Sequence, residues 1–166
     1  MDIHIKESDV KAAAASGMDD FVMLFHRHIM DAVGGTLDGQ ALQRLSAEQI
    51  TLLAYVILRD EVMDGGFIQL IHNGYGGFIF MNPFAKAMRL WGLGDLSKLI
   101  YKGRKLFEAH AEALTADCSD EAFMALYEQF PQFDDLDDEF VAQEEEWTAA
   151  VARYVDDHLD HFAQIN

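Results

Sequence analysis

The side chains best placed to do chemistry in this sequence are histidines beside carboxylates. In Asp156-Asp157-His158-Leu159-Asp160-His161, residues Asp157 and His161 stand four apart, on one face of a helix. That begins a zinc site but does not complete one, because a catalytic zinc takes three protein ligands and an open position. His26 and His28 lie two apart, on different faces of a helix, which is poor metal geometry. The run Asp134, Asp135, Asp137, Asp138, Glu139 lacks the glycine and the ligand spacing of a calcium loop. Paired carboxylates can serve as general acid and base, but with 29 acids in the chain any such pair arises by chance. The one cysteine, Cys118, sits in an acidic turn whose charge blunts it as a nucleophile. No Gly-x-Ser-x-Gly occurs. Gly74-Tyr75-Gly76-Gly77-Phe78 is not a phosphate loop, since no Lys-Ser/Thr follows it and no strand precedes it. The sequence therefore reads as that of a non-enzyme without metal or cofactor.

Charge is the more informative property. Twenty-nine acids against twelve bases give a net of −17. Residues 1–115 hold 14 acids and 11 bases, whereas residues 116–166 hold 15 acids and the single base Arg153. Phosphate contacts need clustered Lys and Arg, so direct binding to nucleic acid or to an anionic membrane is not expected. A basic partner is. No apolar run reaches the roughly 18 residues of a membrane span, the N-terminus lacks a signal-peptide pattern, and one cysteine fits a reducing compartment. The cytoplasm is the expected location.

These residues must be positioned by helices. Phe21, Val22, Leu24, Phe25, Ile29 and Val33 recur at helical spacing over Met18–Val33, and Ser46-Ala47-Glu48-Gln49 has the capping-box pattern that starts a helix to about Met63. Asn82-Pro83 opens a helix through Trp91, with Pro at the first helical position. Asp95 caps a helix from Leu96 to Leu114 that carries Lys98, Lys102, Arg104 and Lys105, either a solvated face or an internal counterpart to the acids. Ser119 caps a helix that Pro131 ends. A final helix runs from Asp134 to Phe162, with Leu136, Phe140, Trp147, Val151, Val155, Leu159 and Phe162 as its apolar stripe. No stretch alternates as a strand would. The expected fold is all-α: a single compact domain over residues 1–166, of about six or seven helices with a long acidic C-terminal helix. Residues 1–17 form an N-terminal arm, helical or mobile.

The acids of that last helix are Asp134, Asp135, Asp137, Asp138, Glu139, Glu144, Glu145, Glu146, Asp156, Asp157 and Asp160. At 1.5 Å per residue the segment spans ~43 Å, about one charge per 4 Å, close to the ~3.4 Å of a single DNA strand. Like charges at i, i+4 weaken a helix, so their crowding calls for a reason outside the helix. These eleven residues are the expected partner-binding set.

The chain pivots on Glu61 to Gly74. Apolar residues Leu52, Leu53, Val56 and Ile57 precede it and Phe67, Leu70 and Ile71 follow, so Gly65-Gly66 should form a sharp corner between a long helix and a short one folded back on it. Gln69 and Asn73 share one face of the short helix and could satisfy backbone groups freed at the corner. The corner reads as structural rather than catalytic.

Glu61-Val62, then Gly65-Gly66-Phe67-x-Gln69-x-x-x-Asn73, an Ala-rich helix, and a later Leu-Asp-x-x-Phe motif within Phe133-Asp134-Asp135-Leu136-Asp137-Asp138-Glu139-Phe140 together resemble the bacterial DNA-mimic protein family. The likeness covers roughly residues 46–162. It departs at Asp64, where the family more often has Asn, and in the glycine-rich turn at 74–78. The resemblance implies an all-α fold, a homodimer and no enzymatic activity. It also implies that the acids bind a basic DNA-binding protein, such as a helix-turn-helix transcription factor, and keep it from its operator. The other occupant such acids would suit is a basic toxin, for instance a nuclease, held by an immunity or inhibitor protein.

Overall fold

The computed structural model describes residues Met1 to Asn166 and is almost wholly helical. A two-residue strand β1 (His4–Ile5) leads into α1 (Glu7–Ser16), α2 (Met18–Ala32), α3 (Gly39–Arg44) and α4 (Ala47–His72). Then come α5 (Gly76–Phe80), α6 (Phe84–Leu90), α7 (Gly94–Thr115), α8 (Asp120–Gln129), a 3-10 turn at Pro131–Phe133, α9 (Asp134–Asp157), α10 (Leu159–Phe162) and strand β2 (Gln164–Ile165). The all-α reading holds. The helices beyond the expected six or seven are mainly short ones: α3, α5 and α10 have 6, 5 and 4 residues. Such lengths leave too few turns for a 3.6-residue period to register.

Two compact units make up the chain: Met1–Val56 with Glu145–Asn166, and Ile57–Glu144. In the first, α1 packs on α2, and β1 pairs in parallel with β2. Residues 1–17 therefore hold a strand and a helix, with Ile3, Ile5 and Val10 buried. The core takes Phe21, Phe25, Leu52, Val151, Val155 and Phe162, and the Phe25 and Phe162 rings meet edge to face at 6.4 Å. Burying each such side chain is worth roughly 1.5–3 kcal/mol. The capping box forms in both directions: Ser46 Oγ accepts from the Gln49 amide at 3.2 Å, and Gln49 Oε1 accepts from the Ser46 amide at 3.0 Å.

In the second unit, α5, α6 and α7 pack together around Phe67, Phe80 and Phe140. Phe67 stacks on Phe80 at 6.2 Å and meets Phe140 edge to face at 6.5 Å. Ser119 caps α8 as expected, accepting from Ala122 at 3.2 Å. Asn82 Oδ1 accepts from the Phe84 amide at 2.9 Å, but α6 begins at Phe84, so Pro83 holds the N-cap position instead of the first helical one. Two further local expectations change. Gly76–Phe80 of the glycine-rich stretch is helix α5, and α7 begins at Gly94, so Asp95 lies inside its first turn instead of capping it. The last helix stops at Asp157, because His158 (φ −136, ψ 42) leaves helical geometry before α10 starts.

Candidate functional site

The corner is built as two helical runs meeting at Gly66, whose backbone (φ 76, ψ −178) lies where side chains are strained and glycine is not. A Cβ there would also collide with the Asp137 carboxylate, and one at Gly65 with the Gln69 side chain. Fold-back of the short run is visible in its side chains. In a straight helix Glu61 and Asn73 would lie ~18 Å apart, yet Glu61 Oε2 accepts from Asn73 Nδ2 at 2.9 Å and from Gln69 Nε2 at 3.1 Å. Gln69 donates to Asp64 Oδ2 as well, at 2.9 Å.

Gln69 and Asn73 thus bind carboxylates of the long run, not the freed backbone. The backbone is satisfied from elsewhere: Asp137 Oδ1 accepts from the Phe67 amide at 2.8 Å, and the Tyr127 hydroxyl donates to the Gly65 carbonyl at 2.7 Å. Asp137 thus satisfies the first free amide of the short run from α9, as a capping side chain would from within the run, and three residues later Phe140 packs on the Phe67 ring. The two halves of the sequence signature, Gly65-Gly66-Phe67-x-Gln69 and Leu136-Asp137-x-x-Phe140, are therefore one structural joint. Tyr127 carried no sequence signal; nothing in its spacing marks a hydroxyl aimed at a carbonyl 62 residues earlier.

A cleft of about 450 Å³ opens at this joint, lined by Asp64, Gln69, Phe123, Met124, Tyr127 and Asp137 among others. Burial pushes the Asp137 carboxyl up to about 6; the Phe67 amide works against that, and the charges of Asp134 and Asp138 add to it. Burial, then the charges of Asp137 and Asp64, push the Tyr127 phenol up.

The eleven acids sort by exposure. Asp134, Asp135, Asp138, Glu145, Glu146, Asp156, Asp157 and Asp160 are exposed, whereas Asp137, Glu139 and Glu144 are half-buried. The continuous row expected from the sequence is thus broken. Asp137 faces the joint, and Asp160 lies beyond the helix break, in α10. In the first unit, Glu145 and Glu146 precede Asp156 and Asp157 by eleven residues each, about three turns, so both pairs face one side of α9 some ~16 Å apart. In the second unit Asp134 and Asp138 are one turn apart, with Asp135 beside them. No ion pair within the chain engages any of the eight exposed acids.

The lysines do not neutralise them either. On α7 only Arg104 pairs, with Glu108 at 2.9 Å, while Lys98, Lys102 and Lys105 are exposed and make no ion pair. Of this cluster, Arg104 alone thus has an internal acid, and the three lysines form a solvated face. His161 Nδ1 stands 4.0 Å from Glu48, not paired with Asp157, and no group of three or more His, Cys, Asp or Glu is arranged to hold a metal. No helix is long and apolar enough to cross a membrane.

Comparison with known proteins adds one consistent result. The family described as DMP19-like protein matches residues 43–158, which takes in the joint and all of α9. The "DNA mimic protein DMP19" of Neisseria meningitidis serogroup B (strain ATCC BAA-335 / MC58) is 33% identical over 127 residues, covering 76% of this chain and 77% of that protein.

Proposed function

The chain belongs to the DMP19-like protein family, and from that premise we propose that it is itself a DNA mimic, binding a basic DNA-binding protein and blocking that protein's access to DNA. The observation that carries this reading is the set of exposed α9 carboxylates with no internal cation. Side chains that are charged, exposed and unpaired are available to the Lys/Arg array that otherwise grips phosphates.

Mechanistically this is competition, with no bond made or broken. Glu145, Glu146, Asp156 and Asp157 present charge on one side of a rigid helix, so little ordering entropy is lost when they are gripped. Asp134, Asp135 and Asp138 offer a second, tighter group. The partner-facing set is therefore narrower than the eleven acids of the sequence: Asp137 serves the joint. A helix-turn-helix transcription factor in the cytoplasm is the kind of partner such a surface suits, because its recognition helix and flanking loops carry phosphate-binding cations.

The test is capture followed by competition. The chain, immobilised at low salt, should retain a basic protein that an excess of that protein's own DNA duplex releases. Glu145→Lys/Glu146→Lys should retain at least tenfold less. Retention unaffected by the duplex and by the substitutions would overturn the reading. A retained nuclease, inhibited on binding, would move it to an inhibitor of a basic toxin.

A further inference from the structure

The cleft at the joint combines carboxylates with aromatic rings, and no lysine, arginine or histidine lines it. Its two acids have oxygens to spare. Asp64 gives Oδ2 to Gln69 and Asp137 gives Oδ1 to the Phe67 amide, while Asp64 Oδ1 and Asp137 Oδ2 accept from nothing in the chain. Asp137 Oδ2 lies where a Cβ on Gly66 would be and is not sealed from solvent; Asp64 is exposed. For the fold, position 64 needs only an acceptor for Gln69, which a neutral amide would also supply. The charge there stands one turn from Glu61, a repulsion that works against the helix.

The aromatic part is Phe123 and Tyr127, both half-buried, with ring centroids 5.6 Å apart and planes nearly perpendicular at 78°. Burial pushes the Tyr127 phenol up and the charges of Asp137 and Asp64 add to it, so both carboxylates stand close to that ring. Beside them Met124, 63% exposed, brings an adaptable thioether. The volume of about 450 Å³ falls within the ~300–1,000 Å³ of small-ligand sites. Such a lining repels anions, and an uncharged apolar occupant would strip water from two carboxylates without replacing it. A planar cation meets both surfaces, with N–H groups for the free oxygens and a flat face for a ring. An ammonium offers a point charge without the flat face.

We infer that the joint cleft is a guanidinium site, taking an arginine side chain of the basic partner between the free oxygens of Asp64 and Asp137 and the rings of Phe123 and Tyr127. Its occupant rests on the DNA-mimic reading, to which it adds a contact different in kind. The exposed carboxylates of α9 attract any cation, whereas a cleft with fixed acceptors and rings selects the planar, forked one. Asp137 serves twice, with Oδ1 holding the joint and Oδ2 the ligand. Asp134 and Asp138, whose charges reach Asp137, draw cations toward it.

The site is tested first without any partner, by titrating Nα-acetyl-arginine amide onto the whole chain and following its nuclear magnetic resonance signals. The Gly65, Gly66 and Phe67 amides and the Met124 methyl should shift together and saturate. At equal ionic strength the capped lysine should bind at least threefold more weakly, and the capped citrulline, equal in shape but neutral, should leave these signals in place. Asp64→Asn keeps the acceptor for Gln69, and Met124→Lys sets the chain's own cation at the cleft. With unchanged helical circular dichroism, each should bind the capped arginine at least fivefold more weakly. Shifts confined to Glu145, Glu146, Asp156 and Asp157, equal binding of arginine and lysine, or variants that bind as the wild type does would overturn the inference while leaving capture by α9 intact. Met124→Lys should also retain the captured basic protein severalfold less; unchanged retention would overturn the partner's arginine as occupant. Capture that fails altogether, with the capped arginine still filling the cleft, would remove the DNA-mimic reading and keep the guanidinium site.

Discussion

The backbone amide of Phe67 donates to the carboxylate of Asp137 at 2.8 Å, across 70 residues of sequence. That bond, with Tyr127 on the preceding carbonyl, turns a helical corner into a fixed joint. It leaves Gly66 almost no chemical latitude. Gly66→Ala should cost roughly 2–4 kcal/mol, combining backbone strain of about 1–3 kcal/mol with displacement of the Asp137 cap. Urea denaturation at pH 7 measures it; a loss under 1 kcal/mol would mean that the corner relaxes freely.

Asp137 should also make stability depend on pH, in an unusual direction for a carboxylate. Its value rises from 3.8 to about 6 on folding, so the folded chain holds the proton more tightly than the unfolded one. The resulting stabilisation is fully present below pH 4 and is lost as pH rises through 6. The full shift corresponds to about 3 kcal/mol, but the group is partly exposed and solvent screening leaves on the order of 1. Asp137→Asn keeps an acceptor for Phe67 and removes the charge. It should flatten this slope between pH 4 and 7 and, at pH 7, match or exceed the wild type by about 1 kcal/mol. Asp137→Ala removes the cap and should lose about 1 kcal/mol. Thermal melts across that range separate the two.

Tyr127→Phe isolates the other half of the joint. The hydroxyl donates only to the Gly65 carbonyl, at 2.7 Å and beside an open cleft, so water can replace part of what is lost. The expected cost is about 1 kcal/mol, and exchange of the Phe67 amide should quicken in step with it. Unchanged exchange would mean that the joint does not depend on the hydroxyl.

What was legible in the sequence follows from which forces are local. The Gly65-Gly66 corner, the Ser46–Gln49 box and the Ser119 cap depend on neighbours within a few residues, and each stands where the pattern put it. The end of α9 was not legible, because Leu159 and Phe162 continue the apolar period across the break at His158. Nor was the fate of Asp137 among its neighbours. Five acids in six residues look equivalent until the fold presses one of them against a distant amide.

Asp156 and Asp157 carry the strongest physical hint that the acids serve something beyond the fold. They close α9, at the negative end of its dipole, with no basic residue in the last turn. A carboxylate there costs a helix roughly 0.3–1 kcal/mol, and neither residue has an ion pair to offset it. Asp156→Asn/Asp157→Asn should therefore raise the melting temperature by a few degrees. The same variant should weaken capture of the basic partner severalfold and lower the salt dependence of that capture, since two fewer charges steer it. Stability gained while binding is lost is the signature of residues kept for an external contact. Stability gained with binding unchanged would reduce this end of α9 to a solvated surface and confine the mimic to Glu145, Glu146 and the 134–138 group.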